Sequence, residues 1–225
     1  MGNSSKAELL HFAQSKMKIY DISVEIREDM AVYKDKNEKK PKLKVTRTLK
    51  QGANESRLEI DAHTGTHADA FFHMLAKGKT IEKIQLEKFI GNCIVLDFTK
   101  AKNKITINEI KRNNDAKKIK KDDIVLLKTR NKPLKKFNYN FTYLEKTGAK
   151  YLANKNIKLI GIDNLGIERN QKNHDTHKIL LKKNIPIIEG LELSKIEEGR
   201  YFFIGLPLKI KDGDASPIRA ALVKN

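Results

Sequence analysis

Thiol chemistry is nearly absent from this 225-residue chain: Cys93 is its one cysteine, which excludes an intramolecular disulfide framework and any zinc site built on several cysteines. Cys93 sits in the apolar run Cys93-Ile94-Val95-Leu96, so it reads as a buried structural thiol rather than a nucleophile. With no disulfide framework the chain reads as intracellular, and the expected location is the cytoplasm. Tryptophan is missing altogether, and only eight of the 46 basic residues are arginine. The formal charge of +18 is therefore carried by lysines spread over the whole chain. Nucleic-acid readers depend on arginine forks and stacked aromatics. The excess reads instead as a solvated lysine-rich surface with no nucleic-acid partner; a basic nucleic-acid-binding protein with a vestigial metal site is the distant alternative. No run approaches the ~20 apolar residues of a membrane span, and the first residues fit neither a secretory signal nor a myristoylation site.

Hydrophobic residues make up 39% of the chain, enough to fill the core of one domain. Residues 1–16 read as a polar extension with one short amphipathic helix around 7–12, and residues 17–225 as a single domain. Alternation of Ile22, Val24 and Ile26 with polar residues predicts a half-buried strand. Further strands are expected at 43–49 and 57–62, the second with Leu58, Ile60 and Ala62 on its apolar face. The rhythm then becomes helix and strand, with apolar runs at 93–98, 124–127, 157–162, 185–188 and 201–206. Leu144, Gly148, Tyr151 and Leu152 stand at helical spacing, and Asp175 is placed to cap a helix carrying Ile179, Leu180 and Leu181. Such alternation suits an α/β layer arrangement. The lysine-rich stretch 111–121 is the one candidate hinge, too short to divide the chain.

Five of the six histidines fall in two windows, His63, His67 and His73 in the first and His174 and His177 in the second. His63, His67 and Asp69 offer two imidazoles and a carboxylate within seven residues, a donor set that zinc, manganese or iron accepts. Thr64-Gly65-Thr66 is poor helix material, so a strand joined to a tight loop is expected, with Gly65 letting the two imidazoles converge. Separately satisfied histidines are the alternative. His73, six residues beyond His67, is the candidate general acid and base, or else an exposed side chain. His177 near a helix start and Glu189 at a strand end before Gly190 add a weaker pair.

The run His63-Thr64-Gly65-Thr66-His67-Ala68-Asp69-Ala70-Phe71-Phe72-His73 resembles the His-x-Gly-Thr-His-x-Asp-x-Pro-x-His signature of the cyclase family of metal-dependent hydrolases, which includes bacterial kynurenine formamidases. The resemblance extends over about 19–223. It takes in Asp21-Ile22-Ser23, Gly161-Ile162-Asp163, the His177 to Glu189 segment, Leu206-Pro207-Leu208-Lys209-Ile210 and Ser216-Pro217-Ile218-Arg219. It implies a single-domain α/β fold with a mixed, barrel-like β-sheet core and flanking helices, the swivelling β/β/α arrangement. It also implies that His63, His67, Asp69, His177 and Glu189 hold one or two divalent ions, zinc foremost with manganese or iron as alternatives. Asp69 would bridge two ions, and His73 would carry the proton. His174 has no counterpart and is expected to make a supporting hydrogen bond or to lie exposed.

The chemistry so implied is hydrolysis of a small amide. Divalent ions would polarise the carbonyl and lower the pKa of a bound water from 15.7 toward roughly 7, and His73 would protonate the departing amine. The leading substrate is N-formylkynurenine or a similar aryl formamide, cleaved to formate and the free amine. A cyclic amide of the isatin type is the alternative. The signature's proline is Phe71 here, and a pocket tryptophan of the formamidases is replaced by Tyr33, so both residues are candidates for substrate contact. A homo-oligomer is expected by the same analogy.

Overall fold

A computed structural model describes residues 17–169 and 171–224. The helix expected around 7–12 lies outside the described residues. In chain order the strands are β1 (Lys18–Asp21), β2 (Lys42–Arg47), β3 (Glu55–Glu59), β4 (His67–Asp69), β5 (Ile90–Asp97), β6 (Lys104–Ile105), β7 (Ile124–Lys128), β8 (Tyr143–Leu144), β9 (Leu159–Ile162), β10 (Ile187–Glu189), β11 (Gly199–Ile204), β12 (Ala215–Pro217) and β13 (Ala221–Lys224). Among the described residues three α-helices accompany them: α1 (Ile107–Arg112), α2 (Lys146–Asn154) and α3 (Asp175–Lys182).

Nine strands form one mixed sheet in the order β1-β13-β11-β5-β7-β9-β10-β4-β12. The middle four, β5, β7, β9 and β10, run parallel, and the flanks are antiparallel. Parallel strands covered on both faces need near-continuous apolar sequence. The runs at 93–96, 124–127, 159–162 and 187–188 supply it and are buried almost completely. In antiparallel β11, Tyr201 and Phe203 are buried while Phe202 and Ile204 are exposed, the pattern of a strand wet on one face. Cys93 is fully buried in β5, and burial pushes its thiol well above the usual range. The expected α/β fold, a mixed barrel-like sheet with flanking helices, agrees with this architecture, a large curled sheet with few helices.

Several local expectations are corrected. The strand expected through Ile22, Val24 and Ile26 stops at Asp21. Beyond it the chain crosses the curl of the sheet: Ile22 N donates to Ala220 O, Glu192 N donates to Ile22 O, Ser23 makes a single bridge with Leu191, and Val24 N donates to Thr66 Oγ1 at 2.9 Å. Residues 22–24 thus tie the β13 side of the sheet to the β10–β4 side, and a regular ladder cannot make that crossing. β2 and β3 pair as an exposed ribbon, so Leu58 lies 48% exposed rather than on a half-buried face. Asp175 begins α3 and is not its cap. That position belongs to His174, in the left-handed region at φ 50°. The stretch 111–121 contains the end of α1 and a short helical turn, Asp115–Lys118. Among the described residues no helix is long and apolar enough to cross a membrane.

Register explains how the fold assembles a site. β4 lies between β10 and β12, with His67 opposite both Glu189 and Pro217, and Asp69 opposite both Ile187 and Ala215. Residues directly opposite in an antiparallel pair share a face, as do residues two apart on one strand. His67, Asp69 and Glu189 therefore project from the same side of the sheet.

Candidate metal centre

Entry to β4 is a turn in which Thr64 N donates to Asp61 O at 3.0 Å and Gly65 adopts φ +62°. As the sequence predicts, the turn brings the rings of His63 and His67 together, 5.0 Å apart between centroids. His67 Nδ1 faces Gly65 O at 3.0 Å; a proton there leaves Nε2 as the free lone pair. Nε2 stands 3.6 Å from Asp69 Oδ1 and 3.7 Å from Glu189 Oε2. His63 Nδ1 lies 3.0 Å from Asp69 Oδ1. From α3, His177 Nε2 reaches to 3.6 Å from Asp69 Oδ2 and 3.3 Å from Glu189 Oε1. His73 sits on the single helical turn Phe71–His73 that follows β4, its ring 4.3 Å from His63 and 5.8 Å from His177. The two distant histidine windows and Glu189 thus meet at one point.

The donor set fits a cation. Asp69 is fully buried, yet neither of its oxygens accepts a hydrogen bond, and His67 Nε2 is likewise buried without one. Buried polar atoms are almost always hydrogen-bonded, so three such atoms converging on one volume fit a divalent ion. Electrostatics agree. Burial would raise the Asp69 pKa, but His177 and His63 hold it well below the usual range. Burial would lower His63, but Asp69 and Asp214 outweigh it and hold the ring up to about 9. Burial likewise works against His177, which Asp69, Glu168 and Glu189 hold well above its ordinary value. A divalent ion would take the place of the protons these imidazoles carry. His73 goes the other way: burial lowers it, His63 and His177 push in the same direction, and only Asp69 and Glu189 oppose.

A cavity of about 240 Å³ opens over these side chains, walled by Ala31, Val32, Tyr33, Met74 and Leu165, with the Lys39–Asp61 ion pair (2.9 Å) also lining it. Tyr33, expected near the substrate, lies there and packs edge-on against Phe137 at 5.1 Å. Phe71, the other such candidate, does not. It is 5% exposed within the hydrophobic core and lines no part of this cavity. The turn after β4 directs Phe71 inward and leaves Phe72 outside, so the residue replacing the signature's proline is packing.

Two carboxylates escaped the sequence reading. Asp214 Oδ2 lies 3.0 Å from His63 Nε2 and 3.6 Å from His73 Nδ1, and Glu168 Oε1 lies 2.6 Å from His174 Nδ1. The latter contact meets the expectation of a supporting hydrogen bond for His174. No spacing rule could have found Asp214, which is 151 residues from its imidazole partner, whereas Glu168 stands only six residues before His174.

Gly190 fixes the distance between the two halves of the site. At φ +69° its added Cβ would fall 2.2 Å from Gly65 O, where no such contact is tolerated. Thr66 Oγ1 donates to Gly190 O at 2.6 Å, binding the His63–His67 turn to the residue after Glu189. Gly190→Ala combines left-handed strain with a backbone clash, and should cost about 3 kcal/mol or more. That corresponds to a Tm lowered by roughly 10 °C in a chain of this size. Thermal denaturation checks it, and an unchanged Tm would show that the two backbones separate freely.

The Cyclase family model, described as "Putative cyclase", matches residues 20–169, two thirds of the chain and the stretch that carries the first histidine window. The chain belongs to the cyclase family. It is 29% identical over 212 residues to the kynurenine formamidase of Erythrobacter litoralis (strain HTCC2594), covering 93% of this chain and 95% of that protein. A solved structure described as a "predicted metal-dependent hydrolase" from Bacillus stearothermophilus is 42% identical, with a TM-score of 0.83 over 94% of this chain and 100% of that one. An isatin hydrolase bound to the product analogue thioisatinate shares the fold, with a TM-score of 0.85 at 19% identity over 100% of this chain and 99% of that one.

Proposed function

We propose that this cyclase-family protein is a metal-dependent amidohydrolase, with N-formylkynurenine or a related aryl formamide as substrate. The observation that carries the reading is the fully buried Asp69, which faces three imidazoles beneath a cavity lined by Glu189 and His73. The formamidase relative supports the substrate class. In this reading His63, His67, Asp69, His177 and Glu189 would hold one or two divalent ions, zinc foremost, with Asp69 as the carboxylate that would be shared where two are bound. A bound divalent ion supplies polarisation of a carbonyl oxygen and an acidified water.

The remaining work falls to side chains of this chain. His73, kept neutral near pH 7 by burial and by its imidazole neighbours, accepts a proton as water adds to the formyl carbon. It then delivers that proton to the nitrogen as the carbon–nitrogen bond breaks, so the leaving group departs as an amine and the acyl group as formate. Asp214 faces Nδ1 of His73, leaving Nε2 for the transfer. Tyr33 and the apolar cavity wall receive the aryl group. A homo-oligomer remains part of the proposal, and the apolar side chains displayed by the exposed β2–β3 ribbon, Leu43, Val45 and Leu58, support it.

Elemental analysis of the purified protein, paired with a hydrolysis screen over N-formylkynurenine, simple formanilides and isatin, tests the reading. Divalent metal is expected in at least stoichiometric amount, with formate release from the open-chain formamides. Chelation should abolish that release and zinc should restore it. Turnover of isatin alone would move the substrate to a ring amide, and turnover that survives complete removal of metal would end the proposal.

A further inference from the structure

Glu168 is 4% exposed, and a buried carboxylate is costly unless each oxygen is matched. It stands in the segment following β9, next to Ile167, whose N–H donates to Glu189 Oε1 at 2.6 Å. Its Oε2 accepts the backbone N–H of Thr176 at 2.9 Å and lies 3.4 Å from the N of His177, both in the first turn of α3. That turn gets no cap from the His174 side chain, so Glu168 provides from outside the helix the acceptor that an N-cap would supply. Its other oxygen, Oε1, accepts from Nδ1 of His174 at 2.6 Å and is an ion-pair neighbour of Nδ1 of His177 at 3.2 Å, a buried nitrogen that makes no regular hydrogen bond. His177 therefore has one ring nitrogen toward Glu168 and the other toward Asp69 and Glu189.

We infer that Glu168 is the positioning carboxylate of the metal centre: its oxygen beside Nδ1 of His177 favours the proton on that nitrogen and so leaves the Nε2 lone pair aimed at the volume shared by Asp69 and Glu189. The inference rests on the metal centre proposed above. Carboxylates that orient a ligating imidazole fix its tautomer and raise its basicity, and their loss typically weakens metal binding 10- to 100-fold. Glu168 also caps α3 and sits one residue from the backbone donor that steers Glu189, so one short segment sets the direction of two ligands. His174 shares the same oxygen.

The test is zinc affinity of the apoprotein, measured against a chromophoric chelator, for wild type and Glu168→Gln. Glutamine keeps the size and can still accept from Thr176 N–H. Its amide NH₂ then faces Nδ1 of His177 and favours the reversed tautomer, with the proton on Nε2. Zinc affinity should fall about 10- to 100-fold while circular dichroism stays native. A helix cap alone predicts a lower Tm and unchanged zinc affinity in the folded protein, and that result would overturn the inference. A second measurement needs no variant: nitrogen NMR of zinc-loaded wild type labelled in histidine should show His177 protonated at Nδ1 and zinc-shifted at Nε2, and zinc on Nδ1 would also overturn it. Wild type that takes up no zinc would bring down the metal centre itself, whereas equal affinity in both proteins would remove only the role of Glu168.

Discussion

His73→Ala is expected to lower formamide turnover by roughly 10²- to 10⁴-fold, the range typical of losing a general acid and base, while metal content stays at the wild-type level. Its ring lies 4.3 Å from His63, but it meets the acids of the site differently from the proposed ligands. His63 and His177 are drawn up by contact with buried carboxylates, whereas His73 is pushed down by burial and by those same imidazoles. A group left neutral near pH 7 beside a polarising centre can take a proton from water and return it to nitrogen, and a permanently charged one cannot. The loss should appear in kcat more than in KM, since an interaction realised in the transition state is being removed. Backbone conformation should survive, because the turn is held by His73 N donating to Ala70 O and by Phe71 in the core. Kinetics and elemental analysis on one preparation provide the check. Unchanged turnover would retire the proton-carrier role, and lost metal would make His73 a ligand.

Much of this site could be read along the chain because its donors cluster in sequence. His63, His67, Asp69 and His73 lie within eleven residues, and a glycine at the turn announces the loop between the first two. The buried strands were equally legible, since parallel strands covered on both faces leave uninterrupted apolar runs such as 93–96 and 124–127. What stayed hidden depends on long-range placement. Alternation at Ile22, Val24 and Ile26 is a valid strand signal, but the chain there spends its hydrogen bonds on Ala220, Thr66 and Glu192 to close the curl. Leu58 belongs to a regular strand whose ribbon packs against no core, a fact that period-2 patterning does not encode. Asp214 is one of 28 acidic residues and nothing local marks it, while Glu168, six residues before the second histidine window, carries no signal that tells a site acid from a solvated one. Only the pairing of β12 with β4, and the segment running from β9 toward α3, brings them to the imidazoles.

Asp69→Asn is the most severe change the site can suffer without a change of shape. Asparagine is nearly isosteric, and the ladder around position 69 is made by the backbone, opposite Ile187 on one side and Ala215 on the other. The strand should therefore form as before. What disappears is the one fully buried negative charge that faces His63, His67 and His177 together. In the metal-free protein the loss is mild, because His63 and His177 can shed the protons that Asp69 helped to hold. With metal it is severe. A divalent cation needs anionic ligands to offset its desolvation, and the amide offers one neutral oxygen where a carboxylate could bridge with two. Metal affinity should fall by at least about 10²-fold, beyond what losing an orienting partner costs, with turnover falling in step. Comparison of metal content and thermal stability in wild type and variant decides the matter. Retention of two ions by a folded Asp69→Asn variant would remove Asp69 from the bridging position, whereas metal lost from a protein of near-native Tm would place the charge of Asp69 at the heart of the centre.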